Sequence, residues 1–340
     1  MSFSIVPSTP TGSNVSISLS TAMSSSSDNP PVHASQRLIS MVMNTGSGHH
    51  AYGHEQLARQ LMAYFEQQGF EVDLYLLTEA RQLGEVVRQA RSKHEREGGV
   101  IVAAGGDGTL NTVAQELQHT NIRMGIIPLG TFNYVARALN IPLEPFAAAQ
   151  VIVEGRARPV NLGTINHYVY LNNASIGLYP KIIEQRELYN ARFGRFRVVA
   201  MVSGFVVLMR EQRKLKLKMT IDGEQTPIET PLVFFGNNQL QLQDMKLTLA
   251  DCVAQGKLAA VAITALTRWQ MIKLIHRLQV GLFEQAPEVT SFCAEHIKIE
   301  SRVKQMKVAI DGEIVTIAPP LIFKVAHNAL QVMVPHGVIK

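Results

Sequence analysis

The residues Val100-Ile101-Val102-Ala103-Ala104 run directly into Gly105-Gly106-Asp107-Gly108, and Thr109-Leu110-Asn111 then open a stretch of helical period. Few folds accommodate that join. A strand that is apolar on both faces has to be covered from both sides. The three glycines at its carboxyl end leave backbone free of Cβ atoms where the following helix begins. A helix N-terminus carries unpaired amides and about half a positive charge. The turn therefore reads as a phosphate cradle, with Asp107 placed to hold a divalent cation or a nucleotide hydroxyl. An ordinary strand-to-helix turn needs one glycine, not several.

The flanking sequence supports a sheet around this strand. Leu38 to Met43 is an apolar run, Leu57, Leu61 and Phe65 share one helical face closed by Gly69, and Glu71 to Leu77 reads as a strand. Helical stretches follow over Arg81 to Glu97, Leu110 to Leu117, Thr131 to Leu139 and Pro145 to Glu154, with the strand Met124 to Pro128 among them. The alternation predicts a doubly wound α/β domain over residues 37–158. Pro128-Leu129-Gly130-Thr131-Phe132-Asn133 forms a second glycine turn at a strand's carboxyl end, on the rim where open α/β sheets bind ligands. Thr131 there can contact phosphate, cap the next helix, or do both.

Beyond residue 159 the pattern changes to short apolar runs, Tyr168 to Asn172, Lys216 to Ile221, Leu232 to Phe235, Leu258 to Thr264, His296 to Glu300, Val308 to Ile310 and Leu321 to Ala326. Asp222-Gly223 and Asp311-Gly312 supply the positive φ of tight hairpins, and helical stretches interrupt near 182–209 and 268–283. The expectation is a β-rich second domain over 159–340, its last strand returning to the first. The likeness of the Ile-Asp-Gly-Glu hairpins at Ile221 and Ile310 is too short to establish a repeat.

Several function classes lose support at this stage. Residues 1–36, rich in Ser and Pro, are expected to be a disordered leader. Cys252 and Cys293 cannot build a disulfide framework and offer no CxxC pair, which makes a reducing cytosolic compartment the default. The 32 Lys and Arg against 27 Asp and Glu give a net charge of +5, compatible with an anionic partner. Aromatic residues are 6% of the chain and do not interleave with the cations, so nucleic acid is not expected. His50 and His54 lie four apart without a third ligand, and no metal site is assigned to them. The uncharged stretch Val198 to Met209 falls short of the ~20 residues of a spanning helix. Gly46 to Ala51 fits only the loose GxGxxA fingerprint, and a GxxxxGK phosphate loop is absent.

The order and spacing of these motifs resemble the diacylglycerol kinase catalytic-domain family of lipid kinases, which includes sphingosine and ceramide kinases and soluble bacterial enzymes. The likeness runs from the loop Asn44 to Gly48 through both glycine turns and Asn173-Ala174-Ser175-Ile176-Gly177 to Ile310-Asp311-Gly312-Glu313 and Pro320. The glycine-aspartate turn alone is shared with NAD kinases. The resemblance implies an NAD kinase/diacylglycerol kinase-like nucleotide-binding domain followed by a β-sandwich that helps hold the lipid, with the active site between them. It implies that Asn44, Gly48, Thr78, Gly105, Gly106, Asp107, Gly108, Thr109, Leu110, Asn111, Gly130, Thr131 and Asn133 hold ATP and its Mg2+. Glu313 would accept the proton of the lipid hydroxyl, with Asp311 beside it supporting that base or a magnesium ion, and Asp107 would join the catalytic set. Tyr134 stands where the family usually has Asp, the family's Asp after the Gly-Phe pair of the Ser-x-Gly motif is missing because Gly177 is followed by Leu178, Tyr179 and Pro180, and Ala254-Gln255-Gly256 replaces an Asp-Asp-Gly that holds a structural magnesium. No structural metal is expected.

On this reading the chain is an ATP-dependent kinase for diacylglycerol or a related lipid. The alternatives are a nucleotide- or lipid-binding regulatory protein without turnover, and an NAD kinase. Arg192, Arg195 and Arg197 precede the Val198-to-Met209 stretch, and Arg210, Arg213, Lys214, Lys216 and Lys218 follow it. That arrangement suits peripheral contact with the inner face of a membrane, or else a buried helix packed on the β domain. A homodimer is compatible with the sequence.

Overall fold

The structure, a computed structural model, describes residues 37–44, 51–78, 80–178, 180, 214–264 and 267–337. The serine-rich leader, Gly48, His50 and the part of the Arg192–Lys218 segment up to residue 213 lie outside the described residues.

Strands β1 (Leu38–Asn44), β2 (Glu71–Leu77), β3 (Val100–Gly105) and β4 (Arg123–Pro128) pair in parallel in the order β2-β1-β3-β4. Every residue of β1 and β3 is buried, as continuous apolar strands in a sheet covered on both faces require. The cover comes from α1 (Ala51–Gln67), α2 (Leu83–Glu97), α3 (Asp107–Leu117), the short α4 (Tyr134–Ala138) and α5 (Pro145–Glu154). Their Leu61, Phe65, Val87, Leu110, Val113 and Ile152 are buried in one cluster with the strands. Glu144 fixes the start of α5 by accepting from the amides of Phe146 and Ala147.

The second part is a sandwich. Its strands are β5 (Arg156–Ile165), β6 (Tyr168–Tyr170), β7 (Asn173–Gly177), β8 (Leu215–Ile221), β9 (Glu224–Thr230), β10 (Leu232–Gly236), β11 (Leu258–Ile263), β12 (Val289–Ala294), β13 (His296–Ser301), β14 (Met306–Ile310), β15 (Glu313–Ile317) and β16 (Leu321–Val334). Six of them form an antiparallel sheet of order β12-β11-β10-β7-β14-β15. Its inner face packs on the other sheet through a cluster that includes Ile176, Phe235, Ile297, Val308 and Phe323. The rings of Phe235 and Phe323 stack at 3.6 Å between centroids. Apolar residues from α6 (Gln239–Asp244), α7 (Ala250–Ala254) and α8 (Arg268–Val280) cover the opposite face.

Strand β16 belongs to both parts. It pairs in parallel with β4 through Gln331 and Val332, antiparallel with β13 through residues 321–324, and antiparallel with β5 along most of its length. A shift in the β5 register between Ala326 and Leu330 bends it midway.

The structure departs from the sequence reading at several elements. The strand expected over Tyr168 to Asn172 stops at Tyr170, because the next backbone amides turn toward Asp311. The helix expected from Thr131 begins at Tyr134, after Asn133 takes the left-handed conformation at φ 50°. Cys252 of α7 and Cys293 of β12 are joined by a disulfide with Cα atoms 5.7 Å apart, a pairing the sequence reading did not foresee. No helix among the described residues is long and apolar enough to cross a membrane.

Candidate active site

Two glycine turns meet backbone to backbone at the carboxyl ends of β3 and β4. The Leu129 amide donates to the Gly105 carbonyl at 2.9 Å, and a Cβ on Gly130 would lie only 2.7 Å from the Gly106 Cα. Only glycine permits that approach. No side chain caps the start of α3 at Gly106, which leaves its amides for a ligand. Thr109 folds back over Gly105, where a Cβ would meet its Oγ1 at 2.5 Å.

Several sequence-predicted residues act in ways their position alone does not show. The Leu110 side chain is fully buried in the core, so only its backbone can serve a nucleotide. Asn133 is 6% exposed and spends its side chain on Gly130, accepting from that residue's amide and donating to its carbonyl, each at 2.9 Å. It clamps the second turn and holds α4 in place. Asp107 accepts from the Tyr134 and Val135 amides at 3.4 Å each, so its carboxylate sits between the N-termini of α3 and α4. Thr131 and Thr78 are exposed, Asn44 is buried at the end of β1, and the Asn111 Oδ1 is buried without a hydrogen-bond partner.

The sandwich supplies the opposite wall. Asn173 at the start of β7 pairs with Gly236 at the end of β10, and Ala174 with Ile310 at the end of β14, so three strand ends converge there. Beyond Ile310, Asp311 takes φ 46° and Gly312 φ 93°, which returns the chain as a tight hairpin. Glu313 opens β15, is exposed, and places its Oε1 3.3 Å from where a Gly108 Cβ would stand. A carboxylate from the second part of the chain thus faces the first turn of α3.

Asp311 lies two residues from Glu313 and works through the backbone. Its carboxylate does not stand free beside Glu313; it accepts from the amides of Leu171, Asn172 and Asn173 at 2.7, 2.9 and 2.9 Å. Burial of that carboxylate pushes its pKa up to about 7 despite the three amides, with the Asp107 charge adding to the rise. Asp311 therefore positions the Glu313 hairpin against the turn before β7. The similar hairpin at Ile221 uses the same device: Asp222, also at φ 46°, accepts from the Glu295 and His296 amides. Its Glu224 is exposed, on a hairpin clamped to the β12–β13 turn.

A polar network behind the site escaped the sequence reading. Asn238 donates to Asn172 Oδ1 at 2.8 Å, Asn173 donates to Gln241 Oε1 at 3.0 Å, and Asn237 donates to the Leu171 carbonyl at 3.2 Å. The signal available was the pair of Asn-Asn steps, Asn172-Asn173 and Asn237-Asn238, each at a strand end. Arg137 of α4 reaches Asp244 of α6 at 3.4 Å and lies over the Tyr134 ring, which stacks on an exposed Phe132.

Residues 39–165 match the diacylglycerol kinase catalytic domain, and residues 187–334 match the YegS C-terminal NAD kinase beta sandwich-like domain. A diacylglycerol kinase of Staphylococcus aureus (strain bovine RF122 / ET3-1) is 28% identical over 268 residues, 77% of this chain and 82% of that protein. A diacylglycerol kinase of Bacillus subtilis (strain 168) is 40% identical over 121 residues, 35% of this chain and 39% of that protein. An uncharacterized protein of Synechocystis sp. is 28% identical over 249 residues, 71% of this chain but only 56% of that protein's length. Among solved structures, a diacylglycerol kinase from Bacillus anthracis str. Sterne shares the fold with a TM-score of 0.64 at 17% identity, over 89% of this chain and 99% of that one. With both halves matched in order and the glycine turns facing a hairpin carboxylate, the chain carries a diacylglycerol kinase catalytic domain over residues 39–165, followed by a YegS-type sandwich domain over residues 187–334.

Proposed function

We propose that this chain transfers the γ-phosphoryl group of ATP to a hydroxyl of diacylglycerol or a closely related lipid. The observation that carries the reading is the Glu313 carboxylate, from the second part of the chain, set against the uncapped first turn of α3. Phosphoryl transfer asks for donors around the phosphates, in-line positioning and an acceptor for the hydroxyl proton. The α3 amides and the two glycine turns supply the donors. Glu313 takes the hydroxyl proton as the lipid oxygen attacks the γ-phosphorus and ADP leaves. Asp311 and the asparagine network hold the Glu313 hairpin in register.

Magnesium fits this donor set. Asp107 would hold it, its carboxylate lying at the phosphate turn between the N-termini of α3 and α4, while Glu313 is kept for the proton. One carboxylate suits an ion that keeps water and phosphate oxygens as ligands. When bound, it neutralises charge on the β- and γ-phosphates.

The test is incubation of the purified chain with radiolabelled ATP and a mixed lipid extract, the labelled product being identified by mass spectrometry. Glu313→Gln is expected to lower transfer by on the order of a hundredfold or more while ATP binding persists. Near-normal turnover in that variant would remove Glu313 as the base. No labelled lipid from the unaltered chain would remove the reading itself.

A further inference from the structure

Helix α8 has two apolar faces, and only one of them is covered. Leu274 is 4% exposed and packs with Ile263 and Ala286 on the sandwich, while Leu278 lies against the cluster under α6 and α7. At about 100° per residue, Trp269, Ile272, Lys273, His276, Gln279 and Val280 fall on the other side. Their exposure agrees: Trp269 is 76%, Ile272 39% and Val280 50% exposed. The helix does not need that outer face to stay folded. Thr267 and Gln270 form a complete capping box at its start, and Gly281 ends it in the left-handed conformation.

The charge of α8 has one sign. Its sequence holds no Asp or Glu. Lys273 and His276 are exposed and Arg277 flanks them. The next acids along the chain are Glu284, which accepts from Thr248, and Glu288, which accepts from Gln270 in the first turn of α8, away from Lys273, His276 and Arg277 in sequence. A helix with an outward tryptophan, aliphatic neighbours and cations without acids has the composition of an element that lies in a membrane interface.

We propose that the outer face of α8 docks on an anionic lipid bilayer, with Trp269 and Ile272 entering the headgroup layer and Lys273 and Arg277 meeting its charge. The proposal rests on the lipid-kinase reading, which requires the enzyme to meet its acceptor at a bilayer. It names a surface separate from the Arg192–Lys218 segment. The docking helix is one step from the cleft: Lys246, which follows α6, donates to the Gln279 carbonyl at 2.9 Å, and α6 itself carries Gln241 and Asp244 of the cleft wall.

Trp269 is the single tryptophan of the chain, so its emission reports this face alone. The full chain is mixed with vesicles of phosphatidylglycerol and phosphatidylcholine, and separately with phosphatidylcholine alone. A blue shift with the anionic vesicles, quenched by brominated acyl chains, is the expected result. Ile272→Asp combined with Lys273→Glu should weaken vesicle binding about tenfold or more with the far-UV circular dichroism unchanged. Co-sedimentation with unaltered Trp269 emission overturns the proposal, because another surface then docks. A blue shift that grows with protein concentration without vesicles also overturns it, because a second copy then covers the face. Transfer to a short-chain acceptor dispersed in detergent separates this question from the activity. Its absence in the unaltered chain removes the kinase reading, whereas its persistence in the double variant with loss of vesicle binding locates docking on α8.

Discussion

Asp311 and Asp222 show how one residue type does the same local work in two settings. Both sit at positive φ before a glycine and clamp a neighbouring turn by accepting its amides. Burial raises the pKa of Asp311 to about 7, with the charge of Asp107 adding to the rise. The folded state therefore holds that proton more tightly than the unfolded chain. The associated stability is complete below the ordinary aspartate range and is lost as pH rises through about 7. Urea unfolding at mildly acidic and mildly alkaline pH should show a larger decline for the unaltered chain than for Asp311→Asn; parallel profiles would contradict the shift. Tyr170 gives a second residue-scale test. Its ring packs over Gly163 and its hydroxyl is buried without a partner. Tyr170→Phe is expected to be neutral or to stabilise by about 1 kcal/mol, read from the urea midpoint. At this scale the sequence exposes residue types and spacing, but not direction. Asp311 and Glu313 are two apart on one hairpin, yet one carboxylate points into the turn before β7 and the other across the cleft.

Elements were legible in proportion to how completely their two faces are buried. Strands β1, β3 and β4 stand out as unbroken apolar runs because helices cover both sides. β9 has the sequence EQTPIET and is exposed along most of its length, and β5 starts with exposed Arg-Ala-Arg-Pro; such strands gain their partners from tertiary pairing, not from local pattern. β7 is short and built largely of small residues, so nothing in Asn173 to Gly177 announces a central strand apart from the resemblance. The two glycine turns were readable as elements, but their contact was not, since a turn's sequence does not say which other turn it touches. Gly130→Ala tests that contact. The added methyl would press on the Gly106 Cα at 2.7 Å and on the Asn133 Oδ1 at 2.8 Å, so a loss of about 1–3 kcal/mol is expected, together with weakened ATP binding by calorimetry. Unchanged stability and binding would show that the turns can part without consequence.

The two parts of the molecule share one ten-stranded sheet, and that continuity bears on how it comes apart. Amide protection in the buried strand β11 reports the sandwich, while far-UV circular dichroism is weighted toward helices such as α1, α2 and α3 that cover the first sheet. Both signals are expected to fall at the same urea concentration in a single transition; two separated midpoints would mean that β16 does not couple the halves. The α/β part followed by a sandwich was legible from the resemblance and from the alternation of strands and helices. What no local pattern could convey is that Gln331 and Val332 pair with Arg123 and Met124, a contact set by topology. It makes the order of synthesis matter. As the chain leaves the ribosome, β4 emerges long before its neighbour, and its outer backbone donors and acceptors stay open to any passing strand. The early half can finish its sheet only when the last strand arrives, after the sandwich sequence has been made.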